Sequence, residues 1–72
     1  MSEFQTRIRV ALCKSINQTN DAWSLAHLVY VDFEQGDMRN AGRITQIKKA
    51  LGKMDDVIEF HDTSHTKQFA LV

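Results

Sequence analysis

The sequence has no proline, only three glycines, a single cysteine and no net charge. Proline and glycine punctuate linkers and disordered segments, so their scarcity predicts one ordered domain over residues 1–72. One cysteine excludes a disulfide framework and favours a reducing compartment. A balanced charge argues against tight nonspecific binding to nucleic acid, because such binding requires several neutralised phosphates.

Long apolar runs are also missing. No run approaches the roughly 20 residues that a membrane-spanning helix needs, and the first residues lack the apolar core of a signal peptide. We therefore expect a cytoplasmic protein that does not enter a membrane. A core this small supplies only about 3–5 kcal/mol of stability, which self-association would increase.

The clearest periodic segment runs from residue 37 to residue 54. Its apolar residues recur every three or four positions, which at about 100° per residue predicts an amphipathic helix. The apolar stripe consists of Ile44, Ile47, Leu51 and Met54. The same segment carries Arg39, Arg43, Lys48, Lys49 and Lys53 but, within residues 37–54, only one acid, Asp37. The predicted helix is therefore strongly cationic, with Asp37 as its expected N-cap.

Two segments before this helix alternate between apolar and polar residues. Residues 4–14 place Phe4, Ile8 and Leu12 on one side, and residues 23–33 alternate in the same way. Alternation predicts half-buried strands, and a hairpin register that pairs Leu12 with Leu25 satisfies both faces. A helix competes in the first segment, because Phe4, Ile8, Leu12 and Ile16 also share a helical face.

After the helix, residues 57–60 and 67–72 read as a second hairpin with Ile58, Phe60, Phe69 and Leu71 inward. The predicted fold is therefore an α+β domain of order ββαββ, with the helix on one face of a four-stranded sheet. An alternative remains open, because a helix followed by a hairpin is typical of a winged helix-turn-helix domain. It requires helices at residues 3–17 and 22–33.

The uncovered face of the predicted sheet suggests a partner. In the hairpin register above, this face carries apolar side chains that a second copy of the chain would cover. We expect a homodimer whose interface contains Ala11, Ala26, Leu28 and Tyr30.

The cationic helix is the main candidate site. Arginines in its first turns oppose the helix dipole, so something else must stabilise them. One explanation is pairing with nearby carboxylates on a solvated face. The other is contact with the phosphates and base edges of a nucleic acid. The candidate nucleic-acid-binding residues are Arg39, Arg43, Thr45, Gln46, Lys49 and Lys53.

Other chemistry is weakly indicated. The spacing of His61, Asp62 and His65 could place three ligands on one ion, but no second segment supplies the remaining ligands of a zinc site, and a polar hairpin loop explains it better. No nucleophile with a base and no phosphate-binding glycine loop is visible. We expect no metal, no cofactor and no enzymatic activity.

Two functions remain in view. The first is a small regulatory protein that binds DNA or RNA through its basic helix as a homodimer. The alternative is a protein-binding adaptor or inhibitor, of the small type carried by phages and plasmids, that matches a partner surface by charge. The concentration of positive charge on one rigid element favours the first.

Overall fold

The computed structural model describes residues 2–72 and begins with a helix, α1, at Glu3–Lys14. A capping box starts this helix: the Ser2 hydroxyl accepts from the Gln5 backbone N–H at 3.1 Å, and the Gln5 side chain accepts from the Ser2 N–H at 3.3 Å. These bonds satisfy donors that a helix start leaves unpaired. The strand predicted over residues 4–14 is therefore wrong.

A second helix replaces the second predicted strand. After a short 3₁₀ turn at Ile16–Gln18, strand β1 spans Thr19–Asp21 and leads into helix α2 at Ala22–Val29. The Asp21 carboxylate caps α2 by accepting from the Ser24 backbone N–H at 2.7 Å. Val29 is the last residue of α2, and the aromatic and branched residues Tyr30, Val31 and Phe33 lie beyond the helix, where such side chains lose less rotamer freedom.

The predicted cationic helix is present as α3, which spans Asn40–Gly52. Ile47 and Leu51 are buried, Met54 just beyond the helix is buried, and Ile44 packs against the core, so the predicted apolar stripe is confirmed. The predicted N-cap is wrong: Asp37 accepts from the Arg39 backbone N–H at 2.8 Å, within a turn that precedes the helix.

The chain ends in a hairpin of strands β2, Val57–His61, and β3, Lys67–Leu71. β3 is the central strand of an antiparallel sheet ordered β1-β3-β2. Asn20 and Glu59 both pair with Phe69, whose side chain is buried. Ile58 and Phe60, predicted inward, are instead 50% and 42% exposed.

Residues 2–72 thus form an α+β fold with three α-helices and a three-stranded sheet in the order αβααββ. The predicted four-stranded ββαββ sheet is wrong because residues 4–14 and most of 22–33 are helical. Helices α1 and α2 fall within the ranges that the alternative architecture requires, but β1 pairs with β3 in a sheet that the alternative does not include. A further difference is the segment from Tyr30 to Arg39 between α2 and α3, which is longer than the turn of about three or four residues in helix-turn-helix motifs.

The core lies where the three helices meet the central strand. Its largest fully buried side chains come from all three helices, and burying each contributes about 1.5–3 kcal/mol relative to exposure. They are Ile8, Leu12, Leu25, Ile47 and Leu51. Arg9 joins α1 to the segment before β2 through two hydrogen bonds to Asp56, at 2.8 and 2.7 Å.

The predicted dimer interface is corrected by this packing. Ala11 and Ala26 are only 6% and 0% exposed, because they fill the space between helices within one chain. Ala11 lies in α1 and Ala26 in α2, so neither belongs to the sheet face that was expected to meet a second copy. None of the helices in the described part of the chain combines the length and hydropathy that a bilayer crossing requires.

Adjacent residues of α1 distinguish this fold from the four-stranded alternative. In the helix, Ala11 is buried and Val10 is 46% exposed, whereas the strand register placed Val10 inward and Ala11 outward. We expect Ala11→Asp to lower the free energy of unfolding by at least about 3 kcal/mol, because it buries an unpaired charge. Val10→Asp should cost less than about 1 kcal/mol. Urea denaturation of both variants measures the difference, and the reverse order would contradict the fold.

Candidate nucleic-acid interface

Both arginines at the start of α3 are paired with carboxylates of their own chain. Arg39 contacts the two carboxylate oxygens of Asp37, with its Nη2 at 2.7 Å and its Nε at 3.1 Å, and its Nη1 lies 3.4 Å from Asp32. Arg43 Nη2 lies 3.0 Å from the same Asp32 carboxylate. The helix dipole disfavours cations at this end, and these acids compensate for it.

Arg43 is also part of the packed structure. Its side chain is only 16% exposed, and its guanidinium lies 4.9 Å from the centroid of the Tyr30 ring. Tyr30 in turn packs against Phe4 of α1, with ring centroids 5.9 Å apart. A guanidinium over an aromatic face is an attractive cation–π contact. Arg43 therefore connects α3 to the segment that follows α2, and its charge is largely used within the chain.

The lysines in and just after the last turns of α3 differ from the arginines: Lys48 and Lys49 belong to the helix, and Lys53 is its C-cap. Lys48, Lys49 and Lys53 are exposed, and no carboxylate oxygen within residues 2–72 lies within 4.0 Å of their ammonium groups. Lys49 and Lys53 are about one helical turn apart and share a face with Thr45, and Gln46, two turns before Lys53, lies on the same face. We call Thr45, Gln46, Lys49 and Lys53 the lysine face.

The lysine face is exposed because α3 docks through its other side. Ile47 and Leu51 hold that side in the core, at 0% and 2% exposure. The Thr45 hydroxyl donates to the Ala41 carbonyl at 2.9 Å, which leaves its oxygen with a free lone pair at the surface. The Gln46 side chain is exposed as well, so this face offers cations together with neutral hydrogen-bonding groups.

The structure therefore separates the six predicted site residues into two groups. Arg39 and Arg43 anchor the preceding segment, while the lysine face points to solvent. The site predicted from the sequence does not include Lys48, although Lys48 is adjacent to Lys49 and lies on the flank of the same helix. A second omission is Lys67 of β3, which no helical periodicity could link to α3.

A separate apolar groove lies between α1 and the end of α2. Val10, Leu28 and Val31 project there with 46%, 58% and 103% exposure. Its remaining lining is mostly from α1 and includes Glu3, Thr6, Arg7, Ala11 and Lys14. Of the predicted dimer residues, Leu28 lies in this groove, whereas Tyr30 is partly buried against Phe4.

The residues between β2 and β3 form a turn. Asp62 accepts hydrogen bonds from the backbone N–H groups of Ser64 and Thr66, at 2.9 and 3.0 Å, and from Gln68 Nε2 at 3.0 Å. These bonds lower the pKa of the Asp62 carboxyl, the Thr66 bond most. Within the described chain no three His, Cys, Asp or Glu side chains cluster in a way that could hold a metal ion.

The ion pair between Arg39 and Asp37 predicts a measurable shift in the titration of the Asp37 carboxyl. Its hydrogen bonds lower the pKa of Asp37 from 3.8 to about 2. Because the pKa is lower in the folded state, ionised Asp37 stabilises the fold above its ordinary pKa, and this contribution is lost as the pH falls towards 2. In a carboxyl NMR titration we expect Arg39→Gln to move the Asp37 midpoint up towards 3.8. Arg7→Gln, remote from Asp37, should leave it unchanged, and an unshifted Asp37 in the wild-type chain would contradict the pairing.

Comparison with protein-family models, with curated proteins and with solved structures finds no match to this chain. Function is therefore argued from the residues and geometry above.

Proposed function

We propose that this chain is a small, non-catalytic regulatory protein that binds nucleic acid through the lysine face of α3. The observation that carries the proposal is that the α3 lysines are exposed and have no carboxylate within 4.0 Å among the described residues. Exposed lysines on a rigid helix suit contact with phosphates, which supplies most of the affinity of nucleic-acid-binding proteins.

The neutral side chains of the lysine face support the same function. Glutamine donates to and accepts from the edge of adenine, and threonine contacts either hydrogen-bonding groups or the thymine methyl group. Thr45 and Gln46 lie about one turn before Lys49 on the same face, so phosphate contacts made by Lys49 and Lys53 would bring them close to base edges.

The expected binding is weak and sensitive to salt. The lysine face has two lysines, and if each neutralises one phosphate of a duplex, the slope of log affinity against log salt concentration is about −1.8. The zero net charge of the chain means that long-range attraction adds little to these contacts. Affinity should therefore come from local contacts with α3.

A pair of single substitutions tests this proposal. Lys49→Glu and Lys14→Glu change the net charge equally, and both lysines are exposed without a carboxylate within 4.0 Å in residues 2–72. Only Lys49 lies on the lysine face. In fluorescence anisotropy with labelled DNA at low salt, we expect Lys49→Glu to reduce affinity about tenfold and Lys14→Glu to change it less than twofold.

Circular dichroism verifies that both variants fold. Equal losses of affinity would show that only net charge matters, and unchanged affinity in Lys49→Glu would place any site elsewhere.

A second candidate function is protein binding, as an adaptor, an inhibitor or a homodimer. It is favoured by the groove between α1 and α2, where Val10, Leu28 and Val31 expose apolar surface side by side. Exposed apolar patches mark sites of protein–protein contact, and a second copy of the chain that covered this groove would stabilise the folded state. The proposed dimer therefore uses α1 and α2 rather than a sheet.

The self-association version is tested by sedimentation equilibrium. We expect the wild-type chain to form dimers and Leu28→Glu to remain monomeric, because the substitution places a charge in the groove. Ile16→Glu is the control, since Ile16 is 86% exposed and lies outside the groove lining. A wild-type chain that stays monomeric at high micromolar concentration would rule out the homodimer.

A further inference from the structure

A recess opens beside the lysine face, where the start of α2, α3 and β3 meet. Its volume is about 280 Å³, slightly below the range of roughly 300–1,000 Å³ typical of pockets that enclose a drug-sized ligand. It is therefore suited to one flat ring system rather than a whole dinucleotide. Its lining includes Asp21, Trp23, Lys48 and Lys67.

Trp23 gives this recess an aromatic wall. The indole is 45% exposed, although it contacts two other rings. Its centroid lies 4.7 Å from that of His27 and 5.7 Å from that of Phe33, with interplanar angles of 60° and 85°. Neither ring is parallel to the indole, so these contacts orient Trp23 without stacking on it. Another flat ring could stack there.

Two lysines flank the aromatic wall. Lys48 has no carboxylate within 4.0 Å in the described residues, and Lys67 has one at 3.6 Å, from Glu59. That pair is largely exposed, and such pairs are weak enough for a phosphate to compete with them. Asp21 is the acid that lines the recess. Its carboxylate already accepts the capping hydrogen bond from the Ser24 backbone N–H.

From this arrangement we propose that the recess binds one unpaired nucleobase stacked on Trp23, with the phosphates on either side of it held by Lys48 and Lys67. The inference rests on the proposed function and narrows it to nucleic acid that has a single-stranded segment beside a duplex. Stacking on aromatic side chains is the common way in which proteins hold unpaired bases, whereas bases inside a duplex cannot enter a recess.

Intrinsic fluorescence reports directly on the recess, because Trp23 is the only tryptophan in the chain. Two DNA probes share one short duplex, and one of them carries a thymidine overhang of about six nucleotides, which is within the usual footprint of single-strand-binding sites. Anisotropy of a label on the DNA measures binding, and indole emission measures occupancy of the recess. We expect the overhang probe to quench Trp23 and the blunt probe to leave its emission unchanged.

Substitutions separate the recess from the lysine face. Trp23→Ala should weaken binding of the overhang probe about tenfold, the scale expected for one stacked base, without changing affinity for the blunt probe. Lys67→Glu should reduce quenching of Trp23 by the overhang probe. Lys14→Glu, with the same change in charge, should not.

The outcomes distinguish the two proposals. If the overhang probe binds while Trp23 emission stays constant, the recess is not the site, although binding through α3 stands. Equal quenching by both probes would also overturn the inference, because the contact would then be with the duplex backbone. If neither probe binds at low salt, the proposed function fails and the recess proposal fails with it.

Discussion

The apolar edge of α3 packs against α1 and α2, and this contact determines which residues of α3 face outward. Ile47 and Leu51 are buried with Ile8, Leu12 and Leu25 in one cluster. Because a helix has a fixed angular spacing, burying that edge exposes Thr45, Lys49 and Lys53 on the opposite side. A rotation of α3 by even one residue position would bury polar groups and expose apolar ones, so the core holds the lysine face in place.

Charge on α3 is divided between structure and surface. At the start of the helix, Arg39 and Arg43 are held by Asp32 and Asp37, which lowers the pKa of both acids. Further along, the lysines lack such partners. An electrically neutral chain can in this way carry a locally cationic surface, because most of its acids are paired or serve in caps and turns elsewhere. The recess at Trp23 extends that surface from α3 to the hairpin.

The sequence predicted α3 and the final hairpin but not the two helices before them. For α3, the repeat of Ile44, Ile47 and Leu51 fits a helix alone. Residues 4–14 fit both the helical and the strand period, and the hairpin register that predicts a strand satisfies two faces at once only by coincidence. The capping box at Ser2 and Gln5 was visible in the sequence and would have favoured the helix. Asp21 as the cap of α2 was a similar signal.

The candidate site was predictable only in part, for a physical reason. Helical spacing relates Thr45, Gln46, Lys49 and Lys53 to one another, but only tertiary structure brings Asp32 to Arg43 or Lys67 to Lys48. The measurement that tests the account most directly is the change in backbone amide NMR signals on addition of a short DNA. Perturbations at Thr45, Gln46, Lys49 and Lys53, with Val10 and Lys14 of α1 unaffected, are the expected result. Perturbations centred on Val10 and Leu28, or none at all, would contradict it.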